Sequence, residues 1–332
     1  MAGTFFRVRE RRLEPASPGG TRKHSFAQSH LEVRMFNVKD GEAILLVFPG
    51  KRAWLIDGGS GNGDAHNQKL GGLLATYLQA AGLTLEVLVP SHAHKDHAGA
   101  LASLLRSHPP LANKLTLYRS SDAWTDATSW IGDLHKETKT LGSKFEEVEL
   151  QNQHREIAVA SGISAHLFAG SGQAAYTSVF LHLRYHQTKL LFTGDSKCKY
   201  EKKLLARYGD EDFRADVLKV THHGSSSGTA QEVADKILQG IAIASTAPDG
   251  GHRLEQDALD RLGGLGKPRR VFETSVDGDI VVRTDGQPFG NGILYQVELE
   301  GPGIFATSLG ATMQTLAQAN QRRQVGHDRQ CK

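Results

Sequence analysis

The sequence predicts an α/β domain, because segments with the patterns of strands and helices alternate along most of the chain. Short apolar runs of strand length are separated by segments whose apolar residues recur at helical spacing. Histidine and aspartate residues follow directly after several of these runs, where the strands would end. No internal repeat and no linker divides the middle of the chain, so one large domain is expected.

The 332-residue chain has the composition of a soluble globular protein, with 39% hydrophobic and 23% charged residues. Its net charge of +3 is compatible with an anionic substrate but does not require one. The two cysteines, Cys198 and Cys331, lie far apart, so no disulfide framework is expected and a reducing, cytoplasmic location is predicted. The N-terminus lacks the apolar core of a signal peptide, and no apolar run is long enough to span a bilayer, so membrane insertion is not expected.

Three regions of the chain are predicted to differ in how well ordered their structure is. Residues 1–30 place arginines ahead of a Pro- and Gly-rich stretch, which predicts a flexible basic segment. A solvated tail is favoured there over an arm that binds a polyanion. Residues 31–300 are expected to form the catalytic domain, and residues 301–332 are polar and without pattern, as in a peripheral or disordered tail.

The first half of the domain is predicted to contain strands and three helices. Apolar residues at helical spacing, such as Leu70 and Leu74, indicate a helix over residues 66–81. A second helix over residues 98–108 is closed by two prolines, and a third over residues 122–141 is expected to cover the site. The predicted strands cover residues 31–38, 43–48, 52–57, 85–89, 115–118, 144–150 and 156–160.

The second half begins with a predicted hairpin and continues as a strand–helix alternation. Residues 178–184 alternate between apolar and polar, residues 185–188 turn, and residues 189–193 return. A charged helix from Lys197 to Arg207 follows. The remaining strands are predicted at 215–220, 241–245, 270–274, 279–283 and 293–299, with helices at 230–239 and 255–262.

The run from Ser91 to His97 places three imidazoles and a carboxylate directly after the predicted strand 85–89. Imidazole nitrogen and carboxylate oxygen are ligands that suit zinc and manganese. His92 and His94 can share one side of an extended segment and bind one metal, whereas Asp96 and His97 on the turn can bind a second. A surface loop that is merely rich in histidine is disfavoured, because further ligand types recur at other strand ends.

Four predicted strand ends supply polar groups, namely Asp57, the histidine run, Asp195 and the pair His222–His223. Two metals could share Asp195 as a bridging carboxylate, together with a water whose lowered pKa would give hydroxide near neutral pH. Such a hydroxide attacks a phosphoryl or carbonyl centre. Asp57 is expected to orient a ligand histidine, and Asp96 to contact a metal and hold the attacking water.

Several of these motifs resemble the metallo-β-lactamase superfamily, namely Leu55–Gly59, the pattern His92-x-His94-x-Asp96-His97, and Thr193-Gly194-Asp195. Phe36–Ala43 and Leu218–Ser225 resemble one branch, the hydrolase domain of competence DNA-uptake channel proteins of the ComEC type. The resemblance covers residues 31–285 and implies a four-layer αββα sandwich with a dinuclear metal site. It also implies hydrolytic activity, often on phosphodiesters. The membrane channel of those proteins has no counterpart here, so a freestanding hydrolase without DNA transport is expected.

The resemblance also implies roles for two later histidine positions. His223 is expected to be a metal ligand, and His222 either a ligand or a proton donor; a purely structural role for one of the two is the alternative. The branch often has a histidine where His252 stands; it would protonate the leaving oxygen or hold the phosphate, and an ordinary loop histidine is the alternative.

One feature departs from the superfamily, because the loop at residues 170–177 lacks its usual ligand histidine. His166 lies just before this loop and is either a replacement ligand or a strand histidine that faces core or solvent. For substrate binding, Ser225 could bond a phosphate, and Lys199 and Lys202 could follow a polyanion backbone. Ordinary loop solvation and a solvated helix face are the respective alternatives.

The function predicted from the sequence is that of a cytoplasmic, metal-dependent phosphodiesterase with two zinc or manganese ions, most favourably a DNA nuclease. It would act as an effector in a bacterial defence or stress system, under a protein regulator from a neighbouring gene. Two alternatives remain open: a hydrolase of a small molecule, such as a cyclic nucleotide, a phosphocholine-type ester or a lactone, and a binding subunit with damaged chemistry.

Overall fold

The computed structural model describes residues 5–10, 30–120, 124, 129–150, 153–169, 178–247, 251–263, 270–289, 292–301, 303, 305 and 309. The loop at 170–177, most of the beginning of the predicted covering helix, and the chain after residue 309 lie outside these ranges. Most of the predicted N-terminal segment lies outside them as well, but its residues Phe5–Glu10 form a strand.

The first half of the described chain builds most of one sheet and the helices on its outer face. Its strands are β1 (Phe5–Glu10), β2 (Leu31–Met35), β3 (Gly41–Phe48), β4 (Arg52–Ser60), β5 (Thr84–Val89), β6 (Leu111–Ser120) and β7 (Phe145–Leu150). Its helices are α1 (Asp64–Ala80), α2 (Lys95–Ala98), α3 (Leu101–Arg106) and α4 (Ser129–Leu141), with a 3-10 turn at Gly142–Lys144.

The second half builds the other sheet and then returns to the first. Its strands are β8 (His154–Ala160), β9 (Ile163–Phe168), β10 (Phe180–Tyr185), β11 (Thr188–Phe192), β12 (Ala215–Lys219), β13 (Ile237–Ala244), β14 (Arg270–Glu273), β15 (Ile280–Thr284), β16 (Pro288–Phe289) and β17 (Gly292–Leu299). Its helices are α5 (Cys198–Tyr208), α6 (Gln231–Ala234), α7 (Gln256–Gly263) and α8 (Thr274–Asp277), with 3-10 turns at Glu211–Phe213 and Thr221–Gly224.

The strands form two sheets whose parallel parts position the polar strand ends. The first sheet has the order β1-β17-β15-β2-β3-β4-β5-β6-β7, with β16 beside β17, and the second has the order β14-β13-β12-β11-β10-β9-β8. Strands β4 and β5 are parallel, as are β11, β12 and β13. The carboxyl ends of parallel neighbours meet at one edge of their sheet, which is where ligand-binding side chains collect in such folds.

Apolar side chains pack in three successive layers, which gives the four-layer αββα sandwich predicted by the resemblance. The layer between the sheets includes Val33, Ile56, Leu181 and Val217. Helices α1 and α3 cover the first sheet with residues such as Leu70, Leu74 and Leu104. Helices α5 and α7 cover the second sheet with residues such as Leu204, Ala258 and Leu262.

The predicted hairpin is confirmed, since β10 and β11 pair antiparallel from Leu181↔Phe192 to Tyr185↔Thr188. Alternation along β10 places Leu181 and Leu183 between the sheets and Phe180 on the helix-covered side. The helix expected over residues 66–81 is confirmed as α1.

Two helix predictions were wrong in extent. The helix expected over residues 98–108 is the shorter α3, Leu101–Arg106, preceded by a separate α2 that ends at Ala98. The two are separate because the amide of Ala100 donates to the carbonyl of Gly58 on β4 and so leaves the helical hydrogen-bond ladder. The helix expected over residues 230–239 ends at Ala234, because Ile237 already belongs to β13 and pairs with Ala215. Tertiary pairing overrides local helix propensity at both places.

Strand β1 lies inside the segment expected to be a flexible loop, and it pairs parallel with β17 from Phe5↔Leu294 to Glu10↔Leu299. Cys198 is buried at the start of α5, and the expectation of reduced thiols stays a prediction. The other cysteine of the sequence, Cys331, lies outside the described residues. None of the helices in the described ranges is long and apolar enough to cross a membrane.

Candidate metal centre

The predicted site residues come together where strand ends of the two sheets face each other. Asp57 belongs to β4, the histidine run follows β5, Asp195 follows β11, and His223 follows β12. His252 reaches the same place from the loop after β13. The sandwich therefore brings together residues that are far apart in the sequence.

Gly59 allows the histidine run to approach the first sheet closely. A Cβ atom at this position would lie 2.3 Å from the carbonyl oxygen of Lys95 and 2.7 Å from the amide nitrogen of His97. Real Cβ atoms do not approach other atoms so closely, so only glycine permits helix α2 to pack on β4 here. Gly59 of the motif Leu55–Gly59 therefore lets the histidine run lie against β4.

Gly194 plays the corresponding part on the second sheet. Its φ of +55° is in the left-handed region, and a Cβ atom would lie 2.6 Å from side-chain atoms of Ser178 and of Ser91. The Ser178 hydroxyl oxygen accepts a hydrogen bond from the backbone amide of Asp195 at 2.9 Å. The turn therefore directs Asp195 towards the histidine run.

His97 is at the centre of the cluster and is fully buried. Its Nδ1 atom lies 2.9 Å from Oδ2 of Asp57. Its Nε2 atom lies 3.1 Å from Oδ2 of Asp195, 3.4 Å from Oδ2 of Asp96 and 3.3 Å from Nε2 of His223. A carboxylate at Nδ1 favours the tautomer in which Nε2 is the free ligand atom, which is the orienting role expected for Asp57.

Asp57 is itself held by two further hydrogen bonds. The Ser91 amide donates to Oδ1 at 2.6 Å, and the Ser91 hydroxyl donates to Oδ2 at 3.0 Å. The same hydroxyl lies 3.0 Å from Nδ1 of His92. It also lies 3.3 Å from Nδ1 of His97, so Ser91 connects Asp57 to two histidines of the run.

His222 and His223 diverge because both adopt left-handed backbone conformations, with φ of 52° and 53°. Such conformations are uncommon for residues other than glycine, and they persist where the surroundings hold them. His223 is buried, with Nε2 3.3 Å from Oδ2 of Asp195 and Nδ1 3.0 Å from the carbonyl oxygen of Ser245. The His222 side chain is 22% exposed, with Nε2 3.9 Å from Oδ2 of Asp195 and Nδ1 3.0 Å from the Ser227 hydroxyl.

His252 completes the cluster from the side of the β13 loop. Its Nε2 atom lies 3.4 Å from Oδ2 of Asp96, and its Nδ1 atom lies 2.9 Å from Oδ1 of Asp40. The His252 ring beside it lowers the pKa of the Asp40 carboxyl below its ordinary value. Asp40 thus lies behind His252, as Asp57 lies behind His97.

Side-chain atoms converge in two groups that share Asp195. One group is His92, His97 and Asp195, and the other is Asp96, Asp195, His223 and His252. In each group the ligand atoms lie within 4.8 Å of one another. His94 is in neither group; its ring centroid is 4.4 Å from that of His92, and its predicted role as a ligand stays a prediction.

The donor set fits divalent metal ions. Nε2 of His92 is buried and has no hydrogen-bond partner among the described residues, although a buried polar atom is normally satisfied. Imidazole nitrogens and carboxylate oxygens together suit zinc and manganese. A metal ion would supply the partner that the His92 nitrogen lacks within the protein.

The electrostatics of the cluster favour positive charge at its centre. Burial opposes the charged form, but His223, His97 and Lys219 together lower the pKa of Asp195 well below its ordinary value. Burial likewise opposes protonation of His223, yet Asp195 and Asp96 raise its pKa to about 9. Burial lowers the pKa of His92 well below its ordinary value, which keeps this ring neutral and able to bind a metal.

The predicted substrate-binding residues differ in their exposure and in their contacts. Ser225 follows the His222–His223 turn, and its hydroxyl lies 3.0 Å from that of Ser227. Lys199 is exposed on α5, whereas Lys202 pairs with Glu232 at 2.9 Å. Their role in substrate binding stays a prediction.

His166 lies apart from the two groups of ligand atoms. It is on β9, where its Nδ1 atom is 3.0 Å from Nε2 of His154 on β8. Its ring is 6.2 Å from that of His182 on β10. The structure therefore supports the interpretation of a strand histidine over that of a replacement ligand.

Three polar residues at the centre were not recognised from the sequence, namely Asp40, Glu42 and Lys219. Glu42 and Lys219 are buried within strands and form an ion pair at 2.7 Å. Their only sequence signal is a charged residue inside an otherwise apolar strand, which predicts a buried partner without identifying it.

The sequence pattern of the Metallo-beta-lactamase superfamily matches residues 39–118. The chain is 26% identical over 215 residues to Recombination protein 2 of Haemophilus influenzae, covering 65% of this chain and 24% of that protein. It is 24% identical over 269 residues to ComE operon protein 3 of Bacillus subtilis, covering 76% of this chain and 33% of that protein. A metallo-beta-lactamase fold protein from Bacillus subtilis, YhfI, aligns over 77% of this chain and 99% of its own, with a TM-score of 0.47 and 16% identity.

The chain spans about a quarter of the length of Recombination protein 2 and about a third of the length of ComE operon protein 3. The superfamily match covers β3 to β6 and therefore includes Asp57 and the whole histidine run. The superfamily match, the two curated relatives and the αββα architecture show that this chain is similar to the metallo-β-lactamase superfamily and to competence proteins of the ComEC type.

Proposed function

We propose that the protein is a metal-dependent phosphodiesterase that cleaves DNA. The observation that carries the proposal is the convergence of two groups of histidine and aspartate ligand atoms on the shared residue Asp195. A shared carboxylate is the arrangement that two-metal hydrolases of phosphodiesters use. The relatives named for recombination and for the ComE operon favour DNA as the substrate.

The two groups assign the residues that would hold two divalent ions. His92, His97 and Asp195 would hold one, with His94 as a further ligand, and Asp96, Asp195, His223 and His252 would hold the other. When bound, zinc or manganese ions would lower the pKa of a water and stabilise the charge that develops on phosphoryl oxygens.

The chain's own residues would orient the substrate and handle the proton. Asp57 and Asp40 fix the rings of His97 and His252. His222 is on the rim of the centre with 22% of its side chain exposed, so it can reach a bound substrate. His222 would donate a proton to the leaving oxygen, or His252 would do so in place of binding the metal, and Ser225 would bond a phosphate oxygen.

The proposal includes the wider setting expected from the sequence. The catalytic domain would extend over residues 31–300, act in the cytoplasm, and take DNA along the exposed lysine face of α5 that includes Lys199. A protein regulator from a neighbouring gene would control it in a defence or stress response.

The test is a matched cleavage assay with purified wild type and Asp195→Ala on supercoiled plasmid and on single-stranded DNA. Zinc, manganese and magnesium are supplied separately after chelator treatment. Cleavage that depends on the metal and is lost in the variant supports the proposal. Binding to DNA should also weaken steeply as salt rises, because contacts to phosphates release counterions.

A hydrolase of a small phosphodiester or ester is the second candidate, and the position of α4 favours it. The Trp130 indole of α4 donates to the carbonyl of Ala93 at 2.9 Å, which holds this helix against the histidine run. A helix held so near the centre limits the space for a polymer. Turnover of bis-p-nitrophenyl phosphate without cleavage of any DNA, and with little effect of salt, would favour this candidate.

A further inference from the structure

Lys219 is a fully buried lysine whose ammonium group lies beside the carboxylate shared by the two ligand groups. Its Nζ atom is 2.7 Å from Oε2 of Glu42, 2.8 Å from the carbonyl oxygen of Gly194 and 3.3 Å from Oδ1 of Asp195. Lys219 and Glu42 have relative side-chain exposures of 0% and 1%. A buried ammonium persists only where carboxylates and acceptors surround it in this way.

The two oxygens of Asp195 have different partners as a result. Oδ1 faces Lys219, whereas Oδ2 is 3.1 Å from Nε2 of His97 and 3.3 Å from Nε2 of His223. The contact of Lys219 with the Gly194 carbonyl fixes the backbone immediately before Asp195 as well. One ammonium group therefore contacts both the carboxylate of Asp195 and the backbone that precedes it.

Glu42 supplies the opposite charge from the other sheet. It belongs to β3 of the first sheet, whereas Lys219 ends β12 of the second. Glu42 also lies close to the ring of His223, with Oε2 3.9 Å from Nδ1. The pair therefore spans the interior of the sandwich beneath the ligand atoms.

We propose that Lys219, held by Glu42, is a positioning residue that engages Oδ1 of Asp195 and so reserves Oδ2 for the metal ions. This inference rests on the metal-binding part of the proposed function but not on the identity of the substrate. An ion pair that serves only to join the two sheets is the competing explanation.

Removal of both charges together separates the two explanations. In Glu42→Leu/Lys219→Met, apolar side chains of similar size replace the pair and leave the net charge unchanged. Such replacement of a buried ion pair is often neutral or stabilising, so the variant is expected to fold. Removing the positive charge beside Asp195 would by itself strengthen the binding of a metal cation. A weaker metal affinity in this variant therefore shows that the positioning of Asp195 has been lost.

The measurement is the affinity for Zn²⁺ and Mn²⁺, obtained by competition with a chromophoric chelator, alongside thermal unfolding. Loss of a group that orients a metal ligand typically weakens metal binding about 10- to 100-fold, and we expect at least the lower value. Arg283→Met/Glu32→Gln is the matched control, since this pair at 2.7 Å joins β15 to β2 away from the centre. It should alter thermal unfolding while leaving metal affinity unchanged.

Unchanged or tighter metal binding in a folded Glu42→Leu/Lys219→Met variant would overturn the inference. If that variant does not fold, Glu42→Gln/Lys219→Gln keeps polar groups at both positions and is measured in the same way, with the same two outcomes. Metal affinity is read without any substrate, so a wild type that binds metal but cleaves no DNA would count against the proposed function alone.

Discussion

The imidazole rings of His223 and His252 are stacked, with centroids 3.7 Å apart and planes 12° from parallel. His223 is held from behind by the Ser245 carbonyl and His252 by the Asp40 carboxylate. Both rings therefore present Nε2 towards Asp96 from fixed positions. Such external support determines how well a ligand or a proton donor is oriented before substrate arrives.

Asp40→Asn should lower turnover about 10-fold with little change in KM, because the amide cannot hold His252 as a carboxylate does. Steady-state kinetics on the substrate identified in the cleavage assay give both constants. Asp210→Asn is the matched control, since Asp210 pairs with Lys236 on the surface. Turnover equal to that of the control would show that Asp40 does not support His252 in the reaction.

Asp195→Asn should remove most of the bound metal, because Asp195 belongs to both groups of ligand atoms. Metal content after dialysis against a low concentration of free zinc or manganese gives the stoichiometry. His166→Gln serves as the control, since His166 contacts His154 and belongs to neither group. A wild-type metal content in Asp195→Asn would contradict the assignment of a shared ligand.

Trp130→Phe should weaken metal binding, because it removes the indole N–H that fixes Ala93 between His92 and His94. A hydrogen bond of this kind contributes about 1 kcal/mol to the free energy of unfolding, so the fold should persist. Trp124→Phe is a close control, because the indole nitrogen of Trp124 is buried without a hydrogen-bond partner among the described residues. Equal metal affinities in the two variants would rule out this role for Trp130.

Unfolding should become easier as pH falls from about 6.5 to about 4, because burial lowers the pKa of His182 to about 4. In this window the unfolded chain binds a proton that the folded protein excludes, and the free energy of unfolding falls by up to about 3 kcal/mol. Above pH 6.5 the ring is neutral in both states and contributes no pH dependence. Denaturant unfolding at several pH values measures the slope.

His182→Gln isolates this contribution to the pH dependence. Glutamine can still donate to the Arg214 carbonyl, from which Nε2 of His182 lies 3.0 Å, but it does not titrate. The variant should lose part of the slope between pH 4 and 6.5. An identical slope in variant and wild type would mean that His182 does not exclude the proton when folded.

Much of the fold could be predicted because it follows from local patterns of apolar residues. Helix α1 and the hairpin β10–β11 follow from apolar periodicities of 3.6 and 2, which are properties of adjacent residues. The interruption between helices α2 and α3 could not be predicted in this way. It depends on the hydrogen bond from Ala100 to Gly58, whose partner lies on another element.

The pairing of β1 with β17 had no local signal either, since it joins the two ends of the described chain. Strand pairing is a contact between distant segments, and the residues Phe5–Glu10 show only a short mixed run of aromatic and charged side chains. Local composition therefore favoured a loop where the sheet provides a partner.

By itself the sequence determined which types of ligand the centre contains. These are at predicted strand ends: the histidine run, Asp57, Asp195 and the pair His222–His223. The end of a strand fixes where a side chain leaves the sheet. Only the tertiary structure decided which atoms meet. The left-handed turn that separates His222 from His223, the carboxylate of Asp40 behind His252, and the pair Glu42–Lys219 all arise when the two sheets close on each other. Charged groups buried by that closure must find partners across the sandwich, and such partners have no fixed spacing along the chain.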